Sequence, residues 1–140
     1  MAKQHYGNHA RYVPGFHFLT LGLILAAFVV NIILMVREGI TLNQVFMLLV
    51  TVSLGLLFNY TRQFATGNQD RIIREEENAR SIRITSKPLD ERLTRSQIIA
   101  LRFASDDEYA ELSQKALSQN LSSSDIKKSI SQWRADHHRI

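Results

Sequence analysis

FHFLTLGLILAAFVVNIILMV, Phe16–Val36, decides the fold: its 21 residues include no Asp, Glu, Lys or Arg. A helix rising ~1.5 Å per residue over that length crosses the ~30 Å hydrocarbon core of a bilayer. A secretory signal is the rival reading. Its apolar core is shorter, about 7–15 residues, and ends in a small-residue cleavage site. Here Arg37-Glu38 follows directly and no such pattern is present, so a membrane span is expected. A second run, ITLNQVFMLLVTVSLGLLF, covers Ile40–Phe58, with Asn43 and Gln44 near its start, where headgroups tolerate them. The connection Arg37–Thr41 is so short that the two spans must be antiparallel neighbours. Gly39 suits the tight turn between them.

Charge sets the expected orientation. Lys3 and Arg11 precede the first span, Arg37 lies in the loop, and five arginines fall in Asn59–Arg83. Lys and Arg gather on the cytoplasmic side, so both termini are expected there and the loop outside. The anatomy read from the chain is all-α. An N-terminal cytoplasmic segment covers 1–15, and a transmembrane hairpin covers 16–60 with spans at 16–36 and 40–58. A charged membrane-proximal helix follows at 61–85 and a small helical tail at 86–140.

Polar and small residues inside the spans are candidate contacts. Gly22/Ala26 and Thr51/Gly55 are four apart, a spacing that lets helix backbones approach. Packing inside the hairpin is the plain expectation, and contact with another protein or copy the sharper one. Asn31, past the midpoint of the first span, is costly in lipid and is expected to face a helix–helix contact. The spans contain no Asp, Glu, Lys or Arg, which argues against a pump or proton relay.

Beyond the hairpin, Gly67-Asn68 is expected to break or cap the helix, and Thr66-x-x-Gln69 has capping-box spacing for a restart. QDRIIREEENARSIRI offers i,i+4 ion pairs: Asp70 with Arg74, Arg71 with Glu75, Glu76 with Arg80. With only Ile72, Ile73 and Ile82 as an apolar stripe, it reads as a solvated helix or, alternatively, a charged docking face. Ser86-Lys87-Pro88 ends it. Three short helices are then expected to start at Thr94-x-x-Gln97, Ser105-x-x-Glu108 and Ser122-x-x-Asp125. Their apolar residues are Ile98, Ile99, Leu101 and Phe103; Tyr109, Leu112, Ala116 and Leu117; and Ile126, Ile130 and Trp133 at i, i+4, i+7. Together they make a core of about fifty residues, marginal alone, so the tail is expected to lean on the upstream helix, the membrane or a partner.

Chemistry is harder to find. The chain has no cysteine, which excludes disulfides, thiolate metal sites and a cysteine nucleophile. His5/His9 and His137-His138 look like polar terminal residues, and three successive glutamates on a helix point ~100° apart and cannot converge on one ion. No phosphate loop or nucleophile motif occurs. No cofactor or metal is expected. Nucleic acid is disfavoured, because Asp106-Asp107-Glu108 opens the second tail helix and no dense basic patch exists.

NHARYVPGFHF, QDRIIREEENARSIRIT, LTRSQIIALRFASDDE and IKKSISQWRADHHRI carry a resemblance that covers nearly the whole chain. It resembles a family of small two-span bacterial membrane proteins of unknown function found in Bacteroidetes and bacilli. The resemblance implies a multi-pass protein of the bacterial inner membrane and supplies no catalytic residues. One departure is Ile84-Thr85-Ser86-Lys87, where the family pattern reads Leu-Thr-Gly-Lys, so the turn is expected to be built differently. The expected function is a non-enzymatic accessory or scaffold subunit, docking onto a larger inner-membrane assembly or onto its own copies. The alternative is a membrane-tethered regulator whose tail binds a soluble protein or nucleic acid. A small enzyme at the bilayer surface is a third reading. Besides membrane lipids, the candidate interaction residues are Asn31, Gly22, Ala26, Asp70, Arg71, Arg74, Glu75, Arg80 and Trp133.

Overall fold

A computed structural model describes residues 5–8 and 12–136, and its architecture is all-α. A π-helical segment, Gly15–Thr20, leads into α1, Leu21–Glu38. After the turn comes α2, Leu42–Thr85, then α3, Arg95–Leu101, α4, Asp106–Ser118, and α5, Ser123–Ser129. The chain divides into two compact units, residues 11–66 and residues 67–140 with 1–10. Two helical stretches, Gly15–Glu38 and Leu42–Thr85, are long and apolar enough to cross a membrane.

In the first unit Gly39 makes the turn with φ of 84°, a left-handed value that glycine alone adopts without penalty. Thr41 then opens α2. Its amide donates to Gln44 Oε1 (3.0 Å), and the Gln44 amide donates to Thr41 Oγ1 (3.3 Å), a reciprocal cap that Thr41-x-x-Gln44 encodes. α2 presents Gln44, Leu48, Thr51, Gly55 and Phe58 on one face, alternating four and three residues apart, and opposite it the π-helical segment and α1 present His17, Ile24 and Asn31 at intervals of seven. That is the seam spacing of two helices wound on each other. Phe16 stacks on Phe58 at 4.3 Å, and a Cβ on Gly55 would meet Ile24 at 4.0 Å.

Gly22 and Ala26 are exposed, and nothing lies within 4 Å of a Cβ built on Gly22. The expectation that this pair packs inside the hairpin is therefore corrected. Each is two residues from Ile24, and two residues turn a helix by about 200°, so both point away from the seam. Thr51 and Gly55 do lie in it.

α2 runs unbroken through Gly67-Asn68, contrary to the expected break and restart. Thr66 does not cap. Its hydroxyl donates back to the carbonyls of Arg62 (2.9 Å) and Gln63 (3.1 Å), which leaves the helical ladder intact. Gly67 costs the helix about 1 kcal/mol relative to alanine, too little to stop it.

α2 ends at Thr85, as Ser86-Lys87-Pro88 requires. Ser86 has φ of 59°, and its amide donates to Ile82 O at 2.9 Å. The turn is thus a left-handed cap of the kind a glycine makes. Serine takes that conformation here, and its amide bond to Ile82 O closes the turn.

The tail helices start where their caps predict. Thr94/Gln97 form a capping box, the Glu108 carboxylate accepts from the Ser105 amide at 3.2 Å, and Ser122 Oγ accepts from the Asp125 amide at 3.2 Å. Leu93, Ile98, Ala100, Leu101, Phe103, Ala104, Tyr109, Leu112, Ala116, Ile126 and Ile130 form the core, with Ile84, Leu89, Leu117, Leu121 and Trp133 half-buried around it. At ~25 cal/mol per Å² of apolar surface, aromatic residues such as the fully buried Phe103 and Tyr109 contribute most.

The third helix stops early. α5 ends at Ser129, Ile130 is extended, and Trp133 pairs with Ala104 as an isolated β-bridge, closed by Arg134 N–H to Phe103 O at 2.7 Å. Trp133 is therefore not at i+7 of a helix. The Glu108 carboxylate is the reason. It accepts from the Ser131 amide (3.0 Å), the Ser131 hydroxyl (2.6 Å) and the Gln132 amide (3.2 Å), capturing the amides that another helical turn would use.

Candidate functional site

The most elaborate polar arrangement in the molecule centres on Arg80. Its helix buries Ile73, Glu77, Arg80 and Ser81, with Ile84 half-buried beside them, spaced so that they form one stripe. Ile72 and Ile82, expected to share the apolar stripe with Ile73, are exposed. Arg80 is 3% exposed, and burying a guanidinium is tolerable only when its donors are paired. Nε donates to Asp106 Oδ1 (2.7 Å), Nη2 to Ala104 O (2.6 Å) and Nη1 to Glu77 Oε2 (3.2 Å). The Tyr109 ring lies 4.5 Å below the guanidinium. Arg83 reaches the other oxygen of Asp106 at 3.2 Å, and Arg134 approaches Glu77 at 3.9 Å.

The surroundings tune each acid. Burial pushes the Glu77 carboxyl above its ordinary range, with Arg80 pulling the other way. The hydrogen bond from Arg80 holds Asp106 below the usual carboxylate range. Burial and the charge of Glu77 push the Tyr109 hydroxyl up to about 12. Burial alone would raise Glu108, but hydrogen bonds from Ser131, Ser105 and Gln132 outweigh it and the carboxyl is lowered.

Beside the cluster is a cleft of about 550 Å³, lined among others by Glu76, Arg83, Arg102, Arg134 and Asp136. Arg102 pairs with Asp136 at 3.2 Å. Four arginines line it with three acids, Glu76, Glu77 and Asp136, and Asp106 pairs with Arg80 and Arg83. Charge is balanced, and no hydroxyl or imidazole sits among the lining residues as a nucleophile. The arrangement ties α2, the α3–α4 corner and the extended segment after α5 together.

Over residues 1–140 the sequence matches a family of unknown function, DUF6526. The chain belongs to that family. No curated protein and no solved structure matches it.

The residues singled out from sequence are scattered. Arg80 alone belongs to the cluster, and it pairs at i,i−3 with Glu77 and not with Glu76. Asp70 pairs with Arg95 at 3.6 Å, not with Arg74. Arg71, Arg74 and Glu75 are exposed and make no ion pair among the described residues. None of the three expected i,i+4 pairs forms there: Asp70 and Arg80 take tertiary partners, and Arg71, Arg74, Glu75 and Glu76 stay exposed. Trp133 is half-buried with its ring 5.2 Å from Phe103. Asn31 is 7% exposed and donates to Gln44 O at 3.3 Å, while its Oδ1 is buried without a partner. His9 and His137-His138 lie outside the described residues.

Sequence reasoning missed Glu77, Asp106 and Glu108 as structural acids. A signal existed. Ile73, Glu77, Arg80 and Ile84 alternate four and three apart, the spacing of a buried face, and two of the four are isoleucines.

Proposed function

We propose that the chain is a non-enzymatic accessory or scaffold subunit of the bacterial inner membrane. The hairpin anchors it, and the tail docks onto a larger membrane assembly or onto other copies. The observation that carries this reading is a contrast in burial. In the most apolar windows of Gly15–Glu38 and Leu42–Thr85, only 6% and 11% is buried by protein. The core helix of a soluble protein is mostly covered, so these surfaces call for lipid. The tail, by contrast, buries its own apolar residues.

Both termini are assigned to the cytoplasm on the Lys/Arg count. A contact supports the hairpin topology: Tyr6, ahead of the first span, has its hydroxyl 3.0 Å from Ser124 Oγ, beyond the second. Two crossings return a chain to the side it left. The balanced charges around Arg80 favour a binding role over catalysis, since they stabilise a shape and leave no reactive group. Native purification of the full chain with mass spectrometry tests the proposal. A stoichiometric membrane protein or self-assembly supports it. A soluble partner alone would favour the tethered regulator, and turnover of a bound small molecule would overturn it.

A further inference from the structure

At the end of the hairpin that carries both chain ends, Arg62 of α2 touches His17 of the π-helical segment, Nη1 against Nε2. A guanidinium has donors only, so Nε2 accepts. The other ring nitrogen, Nδ1, lies 3.0 Å from the Val13 amide, which donates to it, and 3.1 Å from the Val13 carbonyl. The imidazole holds the guanidinium in place and brings no negative charge to cancel it. Among the described residues the Arg62 side chain makes no other hydrogen bond and no ion pair.

Aromatic rings gather at this end of the hairpin. Tyr12 meets His17 edge-on at 5.6 Å, Phe16 stacks on Phe58, and Tyr60 stacks on Phe64 at 6.2 Å. Tyr12, Tyr60 and Phe64 are exposed, Phe64 by 70%. Such a girdle belongs at headgroup depth, where the acceptors within reach are phosphates. The guanidinium fork pairs with phosphate oxygens in a bidentate fashion, and exposed Phe18 and Leu57 offer apolar surface for acyl chains.

We propose that Arg62, positioned by His17, binds the phosphate of a phospholipid headgroup at the seam between the two helices. The inference rests on the membrane reading above. The full chain in detergent is mixed with phosphatidylglycerol, dioleoylglycerol or inorganic phosphate, and bound lipid is counted by native mass spectrometry. The wild type is expected to retain phosphatidylglycerol about tenfold better than dioleoylglycerol, the worth of a charge-assisted hydrogen-bond pair. Arg62→Gln is expected to remove that preference at unchanged helicity. His17→Phe, which frees the guanidinium without deleting it, is expected to weaken retention about threefold. Equal retention of both lipids, wild-type binding by Arg62→Gln, or complete displacement of the lipid by inorganic phosphate would overturn the site. Release of the wild type from alkali-washed membranes would instead overturn the membrane reading itself.

Discussion

In the hairpin, apolar side chains cover the outside, and the three most buried residues are polar: Asn31, Gln44 and Thr51. In the tail, charged residues cover the outside, and the largest fully buried side chains are Tyr109, Phe103, Ile98, Leu101 and Ile126, with Arg80 buried as well. The first distribution is the one the proposed membrane anchor requires, and the second suits water. In the hairpin, polar seam residues set which faces of the helices meet. In the tail, apolar area supplies the free energy, and the buried charges fix how the elements are joined. Buried polarity is thus informative in both units, for opposite reasons.

The sharpest way to break this comparison is to remove Arg80. Arg80→Met leaves Glu77 buried without its partner and is expected to cost about 3–5 kcal/mol. Amide exchange on the full chain should show the tail losing protection while the hairpin stays in the membrane. A tail protected as in the wild type would mean the cluster is dispensable. Trp133→Ala sharpens the core boundary. The ring is half-buried, so its truncation is expected to cost about 2 kcal/mol, less than Phe103→Ala at about 3–4 kcal/mol. Equal losses in denaturant melts would place Trp133 in the core proper.

Acidification separates the units further. Asp106 and Glu108 have folded values below their ordinary 3.8 and 4.5. Their contribution is complete above those ordinary values and is lost as the pH falls through the folded ones. Glu77, whose value is raised, acts with the opposite sign, because protonation favours its buried form. Tail stability is expected to fall from about pH 5 to pH 3, and Asp106→Asn to flatten the fall. Asn31→Leu removes one hydrogen bond and one orphaned acceptor, so hairpin stability in detergent is expected to change by about 1 kcal/mol or less. Ser86→Gly relieves a left-handed serine and is expected to raise the tail's stability by about 0.5–1 kcal/mol. A lower melting midpoint for that variant would show that the Ser86 side chain has a role of its own.

Much of this architecture was legible in the chain. Length and composition locate both long apolar helices, and the capping pairs Thr94/Gln97, Ser105/Glu108 and Ser122/Asp125 locate the tail helices, because these are local signals. What failed was mostly non-local. Thr66-Gly67-Asn68 looks like a break, yet the helix ladder persists through it. Glu76 and Arg80 look like partners, yet Asp106, 26 residues beyond Arg80, takes the guanidinium. Ile126, Ile130 and Trp133 look like one helix face, yet Glu108 captures the backbone after Ser129. Gly22 and Ala26 look like a packing motif, yet the seam is set by His17, Ile24 and Asn31. In the last three cases a tertiary partner distant in sequence overrides a local pattern, and at Thr66 the local hydroxyl bonds keep the helix going.

The central claim is that the uncovered apolar helices cross a membrane and return both chain ends to the cytoplasm. Single cysteines at Ile40 and Ala135 test it most directly, since the chain has none of its own. In intact cells an impermeant maleimide is expected to label Ile40→Cys and to reach Ala135→Cys only after lysis. Labelling of Ala135→Cys in intact cells, with Ile40→Cys protected, would contradict the orientation, and recovery of the chain in the soluble fraction would contradict the spans.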